Sequence, residues 1–332
     1  MDSLIFAFNA VLPIVLVVAL GYFIKRIKLV TVGTAKELNK IVFRVLLPAN
    51  LFLSVYKIDS LASVNLTFVL FAVVATVALF ALGLIYVRFA TKEYSRRGAL
   101  LQAVFRSNYA LIGVSLVVEI FGESGSGSAA LLAAFIVPLF NILAVITLTV
   151  FEPVAEGEEK HKISVKRIVI GILKNPLALS VFTGLAVLGI RACFVRFDLS
   201  FRLSDLSPVS SVLEMLSRSA TPLALVALGA QFEFSAVKEM KREIISATVV
   251  RLIFVPLLAL GSAVLFFRFT GPEYAALIAA FASPVAVSSV PMAQEMRGDA
   301  TLAGQIVVWT TLFSSVSLFL FIFALRALGV LV

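Results

Sequence analysis

The chain has 332 residues, 61% of them apolar and only 14% charged, with a mean hydropathy of +1.08. Soluble domains run at about 45–50% apolar and about 25% charged, so a soluble enzyme, a secreted scaffold and a disordered chain are all excluded. In so apolar a chain the net charge of +9 reflects basic cytoplasmic loops, and nucleic acid is not an expected partner.

A membrane span takes about 20 apolar residues. Apolar stretches fall at 4–24, 37–56, 65–87, 98–120, 128–151, 168–190, 208–231, 244–267, 273–296 and 301–329. They predict ten helices, because backbone in lipid must satisfy its own hydrogen bonds. The first stretch has neither a basic leader nor a small-residue cleavage site, and is read as a span and not a signal peptide. One cysteine (Cys193) and one histidine (His161, in a charged loop) leave no metal site or cofactor to expect.

Lysine and arginine set the orientation. Of the 28, seventeen fall in or beside the loops after odd-numbered spans (Lys40 at a span start included), six on the opposite side (Arg326 at a span end included) and five deeper within spans. The bias places the odd loops in the cytoplasm and both termini outside a multi-pass cytoplasmic-membrane protein. The longest cytoplasmic loop, 152–167, reads EPVAEGEEKHKISVKR and is expected to be a solvated linker between a first half, 1–151, and a second, 168–332.

The halves repeat. Arg44-x₃-Pro48 returns as Arg218-x₃-Pro222, and Ala81-Leu82-Gly83 before Arg88-Phe89 returns as Ala259-Leu260-Gly261 before Arg268-Phe269. Phe105, Ser107, Glu119 and Gly122 match Phe281, Ser283, Glu295 and Gly298, each pair 176 residues apart. With five spans per half, the second half is inverted relative to the first. That arrangement is typical of secondary carriers, whose site lies at the midplane where helices are interrupted.

The fourth and ninth spans carry the interruptions. The fourth holds Arg106, Ser107 and Asn108 ahead of Gly113. The ninth reads Ser283-Pro284-Val-Ala-Val-Ser288-Ser289-Val290-Pro291. Its prolines push Ser283 and Val290 toward extended backbone. Breaks near Asn108 and Pro284 would leave orphan N–H groups at about 110–113 and 286–288, two opposed helix N-termini that favour an anion. Arg44, Arg106, Lys174, Arg218 and Arg251 fall within spans, whereas all five aspartates lie in loops or at the terminus. The interior leans positive, which suits a carboxylate. Asn108 is a candidate ligand, Arg106 either a ligand or a funnel residue, and Ser288 and Ser289 either ligands or bonded to their own turn. Arg44 and Arg218 contact substrate or snorkel, Glu119 and Glu295 reach interfacial depth, and Lys174 and Arg251 sit near span ends with no role.

Together, LNKIVFRVLLPANLFLS at 38–54, FRSNYALIGVSL at 105–116, LKNPLALSVFTG at 173–184, SATPLALVALG at 219–229 and SPVAVSSVPMAQEMRGD at 283–299 resemble the auxin efflux carrier family, over essentially the whole chain. The resemblance implies ten helices with crossed, broken fourth and ninth members. It also implies a scaffold of spans 1, 2, 6 and 7, often dimeric, and a transport unit of spans 3–5 and 8–10. By motif position, Asn108 would contact the substrate carboxylate and Pro284 would be the crossover proline. The chain departs from the family's Gly-x-Pro at Gly113-Val114-Ser115, and from the asparagine of many bacterial relatives at Ser288.

The resulting expectation is an all-α membrane carrier, not an enzyme, that moves small carboxylates by an elevator-like motion in the bilayer. Its site would comprise Arg44, Arg106, Ser107, Asn108, Gly113, Ser283, Pro284, Ser288 and Ser289. The alternative is a sodium-coupled organic-anion symporter of the bile-acid-carrier type.

Overall fold

A computed structural model describes residues 2–56, 65–122, 125–153, 165–197 and 202–331. Most of the expected linker, with His161, lies outside the described residues, as do Lys57, Asp59 and Asp198. Among the described residues the structure is helical, apart from one isolated antiparallel bridge.

In chain order the helices are α1 (Asp2–Arg26), α2 (Val32–Tyr56), α3 (Leu66–Ala90), α4 (Tyr94–Phe105), α5 (Tyr109–Phe121), α6 (Ser126–Val150) and α7 (Val165–Lys174). They continue as α8 (Pro176–Arg196), α9 (Ser207–Gln231), α10 (Ser235–Glu239), α11 (Lys241–Phe266), α12 (Gly271–Ala282), α13 (Ser289–Glu295) and α14 (Ala300–Ala327). Six of these, α2, α3, α6, α9, α11 and α14, are long and apolar enough to cross a membrane. The expected fourth and ninth spans are each two short helices, α4 with α5 and α12 with α13. The sixth divides at Asn175, whose Oδ1 accepts from Leu177 N at 2.9 Å just before α8 opens on Pro176.

Local chemistry sets the ends. Asn65 caps α3 by accepting from Phe68 N, and Asp299 caps α14 by accepting from Leu302 N. Helices α2 and α11 each contain a π-helical turn, at Val42–Leu46 and Val250–Phe254. Each lies just ahead of a proline, Pro48 or Pro256. Proline lacks an N–H and its ring crowds the carbonyl four residues back, so the widened turn accommodates the ring without ending the helix. Arg44 and Arg251 both lie in these turns.

Helix α1 packs on α9 and α14, and α2 packs on α8 and α9. Glycines bring α1 and α9 together: a Cβ on Gly21 would collide with the carbonyl of Val226, and one on Gly229 with the carbonyl of Val18. Close backbone approach at small residues is how helices associate in lipid, where no hydrophobic effect drives them together. The most enclosed element is α12, every residue of which except Pro272 is buried. It is surrounded by α5, α6, α11 and α14. Helix α3 instead turns Leu66, Leu70, Val74, Val77, Leu82, Ile85 and Phe89 outward, an apolar face suited to lipid.

Candidate functional site

The two broken helices cross. Residues 106–107 and 283–286 run past each other outside helix, joined by the antiparallel bridge between Ser107 and Val285 and by Asn108 N donating to Pro284 O at 2.8 Å. Ser283 is extended (φ −75°, ψ 161°), as a residue before proline should be. Val290 is not. It stays helical because Pro291 is the third residue of α13, in the first turn, where a missing N–H loses no helical bond. Val285 N donates to Thr310 Oγ1 at 3.2 Å, which ties the crossing to α14.

Half-helices α5 and α13 start at the crossing. Leu111 and Ile112 already donate to Asn108 O, so the free N–H groups of α5 are those of Tyr109 and Ala110, a narrower set than expected. Ser289 donates to Ala286 O and Val290 to Val287 O, which leaves the N–H groups of Val287 and Ser288 ahead of the first bond of α13.

Arg106 is buried at the centre. Its Nη2 donates to Asn141 Oδ1 at 2.7 Å and to Ser288 Oγ at 2.8 Å. Its Nη1 donates to Gln102 Oε1 at 2.9 Å and also meets the sulfur of Met292. All four partners are uncharged. Burying a cation among neutral groups is costly unless its charge is used. Around it, Asn108 Nδ2, Ser107 Oγ, Ser283 Oγ, Ser289 Oγ and Gln102 Nε2 are buried without a hydrogen-bond partner. Native structures contain few such groups, and each calls for an explanation.

Of these residues, Arg106, Ser107 and Asn108 line a cavity of about 50 Å³. On one side its walls are Leu47, Asn50 and Leu51 of α2 with Ala220, Thr221 and Ala224 of α9. On the other they are the crossing and Val137, Phe140 and Asn141 of α6. One or two waters would fill that volume.

Of the expected site residues, Arg106, Ser107, Asn108 and Ser288 line the cavity, while Ser283, Pro284 and Ser289 belong to the crossing behind it. Arg44 and Gly113 are not brought in. Arg44, 62% exposed, points its Nε at Glu295 Oε2, 3.4 Å away. Gly113 lies within α5, where a Cβ would strike the ring of Tyr109, so it packs against that ring and does not line the cavity. Arg218 is exposed and pairs with Glu214 at 3.4 Å.

Three contributors were not anticipated. Asn141 and Gln102 are amides inside apolar stretches, a legible but common signal. Arg251 was assigned to a span end, but α11 opens at Lys241, which sets it ten residues, about 15 Å, into the helix. There it is fully buried and donates to Ser283 O (2.8 Å), Ala280 O (3.1 Å) and Val104 O (3.3 Å), the carbonyl ends of α12 and α4.

Apolar helices of membrane-spanning length around a polar crossing of two broken helices define a multi-pass membrane protein of the transport class. The chain belongs to the membrane transport protein family, that of the auxin efflux carriers, whose family model matches residues 6–322. It is similar to an uncharacterized transporter of Methanothermobacter thermautotrophicus, 24% identical over 322 residues that cover 93% of this chain and 95% of that one. The protein is a membrane transporter.

Proposed function

We propose that it is a secondary carrier of small organic anions, binding a carboxylate at the crossing. The carrying observation is Arg106, buried among uncharged partners beside the unpartnered Nδ2 of Asn108, where two half-helix N-termini open toward the cavity. A carboxylate there would take charge-assisted bonds from Arg106 and Asn108, with the partial positive charge of α5 and α13 behind them.

In this reading the ten spans form two inverted halves. The scaffold is α1, α2 and α7–α9, and the transport unit carries α3–α6 and α11–α14. Two observations support a moving partition. The cavity wall is divided between α2 with α9 and the crossing with α6, and at about 50 Å³ the cavity is small, which supports substrate entry by separation of the two bodies. In this reading the start of α2, the α3–α4 turn and the start of α11 are cytoplasmic, which the bias of basic residues supports.

The test is current on a solid-supported membrane carrying the reconstituted protein, challenged with malate, malonate and larger carboxylates in sodium-free buffer. A saturable current lost in Asn108→Ala is the expected result. Current that requires sodium would favour the symporter. Current that grows linearly with concentration would describe a channel and defeat the carrier reading.

A further inference from the structure

Arg251 lines no part of the cavity, yet it is one of the two largest fully buried side chains. It bonds the last carbonyls of both half-helices that enter the crossing, α4 through Val104 O and α12 through Ala280 O and Ser283 O. A helix C-terminus carries about −0.5 charge. Two such ends buried side by side carry about −1 in total, which one guanidinium balances. Without it they would repel each other and set a negative potential behind the site where an anion is to bind.

We propose that Arg251 is a positioning residue for substrate: it clamps the two carbonyl ends and cancels their charge, so that Arg106 and the N-termini of α5 and α13 face the cavity as net positive. This rests on the reading of the cavity as an organic-anion site. The geometry of the clamp follows from sequence neighbours. Val104 is two residues before Arg106, and Ser283 directly precedes Pro284, so a bond to either carbonyl fixes an extended strand of the crossing. The π-helical turn Val250–Phe254 lies on the stretch of α11 that reaches both ends. The repeat offers no second clamp. At the 178-residue offset that relates Ala81 to Ala259, Arg251 corresponds to Val73, so one arginine serves both half-helices. A planar guanidinium spreads donors over three carbonyls, which a lysine ammonium on a flexible stem does not reproduce.

The test compares wild type, Arg251→Lys and Arg251→Met by two readouts. The first is amide hydrogen exchange, which needs no substrate. Arg251→Met is expected to exchange at least ~10-fold faster at the two breaks, 104–110 and 281–288, with α3 unchanged. The second is apparent affinity in proteoliposomes for malonate, a dianion, and for monomethyl malonate, a monoanion. An electrostatic role raises KM for the dianion by ~10-fold or more and for the monoanion by less, at nearly constant maximal current, and Arg251→Lys restores part of this.

Unchanged exchange at the breaks overturns the clamp. Faster exchange with both KM values unchanged makes Arg251 a structural cap alone and overturns the positioning role. If Arg251→Met does not fold, Arg251→Lys decides by the same criteria. If wild type carries no carboxylate, the organic-anion reading has failed, and exchange alone then judges the clamp.

Discussion

Arg106 and Arg44 are both arginines that the sequence lays inside apolar stretches, and their surroundings separate them. Arg106 is buried with bonds of 2.7–2.9 Å to amides and a serine, so a carboxylate bound to it would make charge-assisted bonds. Such bonds contribute about 1.5–3 kcal/mol. Arg106→Gln is therefore expected to weaken carboxylate binding by ~10- to 100-fold, and an uncharged analogue much less, as read by concentration dependence of the current. Equal effects on both would refute an electrostatic role. Arg44 is exposed and its pair with Glu295 is 3.4 Å long. Exposed pairs are worth about 0–1 kcal/mol, so Arg44→Gln should leave apparent affinity within ~3-fold of wild type.

At the scale of the helix, the end of α13 is held by the second and sixth spans at three successive positions. Asn39 donates to Gln294 at 3.0 Å and Gln294 donates to Lys36 O at 2.9 Å. Arg44 meets Glu295, and Asn175 donates to the sulfur of Met296 at 3.4 Å. In the proposed motion these contacts join scaffold to transport unit and must break. Losing the partly buried Asn39 bond, about 0.5–1.5 kcal/mol, should favour separation. In a Cys193→Ser chain, Thr221→Cys is expected to react ~2- to 10-fold faster with a cytoplasmic maleimide when Asn39→Ala is added. An unchanged rate would show that the contacts do not restrain opening. The α1–α9 contact makes a second demand: Gly229→Val places methyl groups against the backbone at Val18. Overpacking of this kind costs about 1–3 kcal/mol, and a lowered thermal midpoint in detergent is the expected readout.

For the whole molecule, the proposed orientation rests on seventeen cationic residues on one side against six on the other. Both termini are expected outside, so a cleavable tag after Val332 should be removed by protease added to intact cells, and protection of that tag would reverse the proposed topology. The fold was legible where one local rule acts alone. Apolar stretches of about 20 residues became α2, α3, α6, α9, α11 and α14. Pro284 broke its helix where the residue before it had to be extended, and the non-helical stretch at 106–107 lies opposite it. The same rule misled at Val290, because proline in a first turn removes no helical bond. Gly113, expected at the site, instead packs within α5 against the ring of Tyr109.

Read alone, the sequence determined the membrane class, the two interrupted helices and the residues that meet at their crossing. Span length, proline stereochemistry and the scarcity of acids at depth act within one segment, and a single chain displays them. Only the tertiary structure decided which buried cations matter. Arg44, Arg106 and Arg251 each follow an apolar run, but burial and partners come from other helices: Glu295 for the first, Asn141 and Ser288 for the second, and the carbonyl ends of α4 and α12 for the third. Charge in a low-dielectric interior is governed by what lies within a few ångströms, and those neighbours are up to 251 residues apart along the chain.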